Sequence, residues 1–196
     1  MIYIKWFILL IINLVTNLLS LPLSPFVALF ANEEGWLPRW LYYFQTQDNP
    51  IDGDEGFKTL YAPFIPVKNK YQRWRNRTAW LWRNKLYYFS YKVLSVRYDP
   101  SKDVLINSGD DAVGNGVVGV AGSGRSGLSV AKLYRNNKLI AFKYYYIRQY
   151  KNHPDKCIRI LIGWKLAGYI DGKERVATFG FSPSPWMHFI GGNNDN

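Results

Sequence analysis

Hydrophobic and polar positions are distributed very unevenly along this chain. From Ile2 to Phe30 the residues are apolar almost throughout, and the first 31 positions carry one charge, Lys5. A helix that crosses a bilayer needs about 20 predominantly apolar residues. The run Trp6 to Leu23, WFILLIINLVTNLLSLPL, comes close to that by itself. Its polar members, Asn13, Thr16, Asn17 and Ser20, are spaced i, i+3, i+4, i+7 and therefore share one helical face. Residues 1–31 are expected to be an uncleaved membrane anchor whose polar stripe faces a membrane protein or a second copy of the chain, because uncharged polar groups on membrane helices hydrogen-bond across to neighbours. The rival is a cleaved signal peptide, but small residues at the cleavage positions are poor. Pro22, Pro25 and Pro38 are expected to break the helix.

The pattern then changes. Residues 32–67 hold an aromatic segment, Trp36 to Phe44, expected at the headgroup level where Trp and Tyr concentrate, and a loop with turn signals at Asn49-Pro50 and Asp52-Gly53. Residues 71–89 fit helix or strand equally well. Beyond them period-2 alternation dominates, and the sequence predicts an antiparallel sheet. Ser129 to Arg135 and Lys138 to Tyr150 flank Asn136-Asn137, a tight-turn dipeptide, in a register that sets Leu133 opposite Ile140 and Ala131 opposite Phe142. Cys157 to Ala167 pairs across Asp171-Gly172 with Arg175 to Phe181, setting Ile162 opposite Phe181, Trp164 opposite Phe179 and Leu166 opposite Ala177. Val93 to Tyr98 is a further strand, Ser182-Pro183-Ser184-Pro185 ends the sheet, and 191–196 is a polar tail. The expected fold class is α+β: an N-terminal membrane or interfacial helix followed by a small antiparallel β-sheet domain, with residues 68–190 holding the basic aromatic segment and the sheet.

Charge sharpens this picture. The formal net charge is +11, which calls for an anionic surface or partner. From Gly56 to Tyr98 there are ten Lys or Arg and no acidic residue. Arg73, Trp74, Arg75, Arg77, Trp80, Trp82 and Arg83, with Trp36, Arg39 and Trp40 before them, interleave cations and rings in a way that suits an anionic bilayer surface. The same pattern suits single-stranded nucleic acid, and a membrane-tethered nucleic-acid binder is the first alternative. Asp48, Asp52, Asp54 and Glu55 surround a glycine as in a calcium loop, but Pro50 and Thr59 stand at ligand positions. A metal-dependent hydrolase on those four acids is the second alternative, and Asx turns with pairing to nearby cations is the plainer use of them. One cysteine and two histidines leave little for metal or triad chemistry, no cofactor is implied, and nothing argues for an enzyme. The glycine-rich stretch Gly109 to Gly127 contains GVAGSGRS, which lacks the lysine of a phosphate-binding loop at Arg125.

The segments WLYYFQTQDNPIDGDEGF (40–57), WLWRN (80–84) and GWK (163–165) resemble those of a family of small uncharacterised phage and prophage proteins with an apolar N-terminus, an RWxxxFxTxDNPxDGD-like segment and a WLxRN segment. The resemblance implies phage origin and a membrane-associated accessory product, with no catalytic residues. On it, the expected location is the host inner membrane. The Lys and Arg excess beyond the anchor points to a cytoplasmic C-terminal domain, whereas Lys5 pulls the N-terminus to the same side.

Overall fold

A computed structural model describes residues 1–99, 101–109, 126–166 and 175–189. It has one long apolar helix followed by short helices and then antiparallel sheets, an α+β arrangement. The chain divides into two compact units, residues 7–94 and a second made of residues 1–6 with 95–196.

In the first unit, α1 (Ile2–Val27) continues as a 3-10 turn, Ala28–Phe30. The expected break at Pro22 and Pro25 does not occur, since both prolines lie inside α1. A proline interrupts a helix by removing one N–H and crowding the preceding turn. Here the carbonyl that Pro25 leaves without its i+4 donor, that of Leu21, takes the indole N–H of Trp82 instead, at 2.9 Å. A second 3-10 turn covers Arg39–Phe44, short α2 covers Glu55–Leu60 within the expected loop, and α3 covers Lys70–Arg83. Asn69 starts α3 by accepting from the Gln72 backbone N–H, which decides the helix-or-strand ambiguity of that segment. Val27, Ala28, Leu37, Leu41, Ile51, Phe57, Trp80 and Leu81 form the core.

The second unit holds a five-stranded antiparallel sheet, ordered β2-β3-β4-β5-β7, and a two-stranded ribbon of β1 and β6. The strands are β1 Val96–Tyr98, β2 Asp103–Gly109, β3 Gly127–Arg135, β4 Lys138–Tyr150, β5 His153–Trp164, β6 Arg175–Ala177 and β7 Phe179–His188. Asn136 and Asn137 both take positive φ, 50° and 58°, as the tight turn between β3 and β4 requires. The expected register holds next to that turn. A bulge then shifts it by one residue, so that Leu133 faces Ala141 and Ala131 faces Lys143. Across β5 and β7 the expected pairs Ile162–Phe181 and Trp164–Phe179 are present. Ala177, expected opposite Leu166, pairs instead with Val96 in the ribbon. The Ser-Pro-Ser-Pro segment does not end the sheet but lies inside β7. It is tolerated because β7 is an edge strand, where a missing N–H costs no ladder bond on the open side. The strand expected from Val93 starts only at Val96, after a π-helical turn over Ser90–Leu94. Most of the glycine-rich stretch, the Asp171-Gly172 turn and the polar tail lie outside the described residues.

Residues 1–6 pack on the sheet. Trp6 stacks on Phe179 at 5.8 Å, lies 6.0 Å from the Phe142 ring, and donates its indole N–H to the Gly163 carbonyl at 3.2 Å. Gly163 has φ 113°, and a side chain there would run into the Phe142 carbonyl, so glycine is required where β4 and β5 come this close.

Candidate functional site: the outward face of the N-terminal helix and its aromatic rim

Along α1 the covered residues are Trp6, Leu10, Ser20, Ser24 and Val27, with Asn13, Thr16 and Asn17 half-buried between them. The polar stripe therefore points inward. Thr16 donates to the Ile12 and Asn13 carbonyls, Ser20 to Asn17, and Ser24 to Ser20, so each hydroxyl is satisfied by its own helix. Ser20 is buried within the chain, which removes it from the surface expected to seat a partner helix. Beyond Lys5, the opposite face is exposed and apolar: Phe7, Ile8, Ile11, Leu14, Val15, Leu18, Leu19, Leu23, Phe26 and Leu29 are each close to half exposed or more. A helix on a water-soluble domain shows the reverse arrangement, apolar in and polar out. By length and composition α1 with its 3-10 extension could cross a membrane, and 17% of its most apolar window is buried.

That face extends past the helix. Phe30 meets Trp40 edge-on at 5.3 Å, and both rings are exposed. Trp40 and Arg39 open the 3-10 turn that also carries Tyr42 and Tyr43. These tyrosines, with Leu37, Tyr88, Arg39 and Lys92, line a cavity of about 700 Å³.

The basic aromatic residues divide into two groups. Arg39, Trp40, Arg73 and Arg83 are exposed, with Trp36 and Arg75 half-buried. Arg77 and Trp80 are buried, at 6% and 2% exposure, so neither forms part of the surface expected of them. Arg77 makes a two-pronged ion pair with Asp52, at 2.7 and 2.9 Å. The same guanidinium donates to the carbonyls of Ala31, Asn32 and Glu33, tying the segment after α1 to α3. Trp74 and Trp82 spend their indole N–H groups on α1, donating to Pro25 at 2.7 Å and Leu21 at 2.9 Å. Arg83 stacks over Tyr61 at 4.7 Å.

The acidic segment is structural by the same accounting. Asp52 answers Arg77, Asp54 caps α2 by accepting from the Phe57 N–H, Glu55 pairs with Lys58, and Asp48 accepts from Asn49. Gly53, at φ 83°, lets the chain pass against Phe57 and Trp80 where a side chain has no room. Among the described residues no group of three or more His, Cys, Asp or Glu is placed to hold a metal, so the four acids do not converge as the hydrolase alternative needs. Cys157 is buried, and burial pushes its thiol up from the ordinary value, which makes it a poor nucleophile.

A family model for proteins of unknown function, DUF7338, matches residues 1–189. The chain belongs to DUF7338. No curated protein and no solved structure matches it. The family match spans the apolar helix and both units, so the helix is part of the DUF7338 pattern.

Proposed function

We propose that this DUF7338 chain is a membrane-associated accessory protein, held in one leaflet by the outward face of α1 and acting through contacts at that surface. The observation that carries this is the inverted helix: from Phe7 to Leu29 every large exposed residue is apolar, while Asn13, Thr16, Asn17, Ser20 and Ser24 lie on the covered or half-buried side. The resemblance to phage and prophage proteins adds the inner membrane of a bacterial host and a role in the phage cycle to the proposal.

The helix is long enough to span, yet chain connectivity favours an in-plane arrangement. If α1 crossed the bilayer, residues 1–6 would emerge on the side opposite residues 31–94. Residues 95–196 come directly after and contain no second apolar run of spanning length, so they would share the side of 31–94. Trp6, however, is docked on β5 and β7 of that later segment. Docking and spanning exclude each other. At the other end, Leu21 and Pro25 are bonded by α3, whose basic residues hydrocarbon would not admit. An in-plane helix also reconciles the charge signals, because Lys5 and the basic stretch then both face the cytoplasm.

The experiment introduces single cysteines at Lys5 and Ser101 in a Cys157→Ala background and labels sealed, oriented vesicles with a membrane-impermeant maleimide. Both positions are expected to react from the same side, in protein that resists carbonate extraction. Labelling from opposite sides would replace the in-plane helix with a spanning one, and release by carbonate would remove the membrane reading altogether.

A further inference from the structure

The cavity at the end of the apolar face has the chemistry of a headgroup site. Its walls are set by ring contacts, Tyr42 on Tyr88 edge-on at 5.0 Å and Tyr43 on Tyr88 at 6.2 Å, and the Tyr88 N–H is pinned to the Gln45 carbonyl at 3.1 Å. Two cations reach it from different elements, Arg39 at the start of the 3-10 turn and Lys92 from the π-helical turn. Both are exposed, and no carboxylate among the described residues pairs with either. Tyr42, Tyr43, Tyr88 and Leu37 complete the lining. The cavity adjoins the apolar face through Trp40, next in the chain to Arg39 and in ring contact with Phe30.

We infer that this cavity binds the headgroup of an anionic phospholipid, with Arg39 and Lys92 on the phosphodiester and the acyl chains running toward Phe30 and α1. The inference rests on the leaflet-bound reading above. Charge selects the headgroup. A choline or ethanolamine ammonium would meet two cations, and the Tyr88 face that could attract it is already covered by Lys92, whose Nζ lies 5.4 Å from the ring centre. Guanidinium and ammonium together suit a phosphate, the first as a planar fork and the second as a point charge.

The test uses the full chain in non-ionic detergent micelles, where the apolar face is covered whatever its native setting. Calorimetric titrations with dihexanoyl phosphatidylglycerol, dihexanoyl phosphatidylcholine and inorganic phosphate are compared. Saturable binding of the glycerol lipid is expected, with the choline lipid at least tenfold weaker. Arg39→Gln and Lys92→Gln should each weaken the glycerol lipid about fivefold, the contribution of one cation near an anionic surface. A Lys68→Gln/Lys70→Gln control, which removes two exposed charges outside the cavity, should leave it unchanged. Equal binding of the two lipids, or equal losses in the control, would overturn the site and leave the leaflet-bound helix standing. Inorganic phosphate binding as tightly as the lipid would make it a free-phosphate site and overturn the lipid assignment.

Discussion

Arg77 concentrates more of the first unit's polar bonding than any other side chain described. It is 6% exposed and answers Asp52 and three backbone carbonyls. Removing one member of a buried ion pair costs about 3 kcal/mol or more, mostly from the polar groups left without partners. Arg77→Ala is therefore expected to lower unfolding stability by about 3 kcal/mol, discounted slightly because Asp52 is one-third exposed. Arg77→Lys should recover less than half of that, since a single ammonium lacks the planar fork with which the guanidinium reaches Asp52 and three carbonyls together. Urea titration in detergent measures both. The second unit holds a comparable pair, Asp103 and Arg135, at 2.6 and 2.7 Å. The hydrogen bond from Arg135 holds the Asp103 carboxyl below its ordinary value of 3.8. A depressed carboxylate stabilises the fold fully above its unfolded value and loses that contribution as pH falls through the folded one. The melting temperature should thus decline with acidification below about pH 4, and Asp103→Asn should flatten that part of the profile. A mutant profile that keeps the wild-type slope would assign the acid sensitivity elsewhere.

At the scale of elements, α1 and α3 are joined by a substitution of donors. Pro25 withholds the N–H that the Leu21 carbonyl needs, and Trp82 of α3 provides one. Trp82→Phe should cost about 1 kcal/mol, the net value of such a bond. In a Pro25→Ala background the restored backbone N–H can bond Leu21, so the same replacement should cost distinctly less. A double-mutant cycle reads the difference directly, and additive effects would show that the indole does not replace the missing donor. This arrangement explains why local pattern misplaces the end of the helix. The rule that proline ends a helix assumes no tertiary donor, and a tryptophan 57 positions later is invisible to a local window. Long alternating strands are legible because burial on one face fixes their period, as the β5–β7 register shows. β2 escapes the same reading because only Val104, Leu105 and Ile106 carry its pattern and most of its residues are exposed. The Ala131–Phe142 pairing fails at a bulge, which inserts one residue without a sequence signature. For the site, the interleaved rings and cations are visible in the sequence, but which ones face outward is not. Trp40 and Trp80 differ little in local composition and completely in burial.

At the scale of the whole chain, the apolar helix has a structural role beside the membrane role proposed for it. A cleaved signal or a simple tether could be removed without harm to the domains beyond it. Here the helix is built into both units: Trp6 belongs to the aromatic cluster on the sheet, Val27 and Ala28 belong to the core under α3, and the carbonyls of Ala31 to Glu33 are held by Arg77. Deleting residues 1–30 would expose Phe142 and Phe179 in one unit and Leu37, Leu41 and Trp80 in the other. Losing a buried Trp alone costs about 3–5 kcal/mol, a large share of the roughly 5–15 kcal/mol that holds a typical domain together. The truncated chain is expected to lose cooperative unfolding and to aggregate. By contrast, replacing outward residues such as Leu18 and Phe26 with Gln, in pairs, should keep a sharp transition while weakening vesicle binding. Far-UV and near-UV circular dichroism with flotation on phosphatidylglycerol vesicles would separate the two effects. A truncated chain that stays soluble with a native near-UV spectrum would make the helix a detachable anchor. Outward substitutions that abolish folding would place that face inside a protein interface instead of lipid.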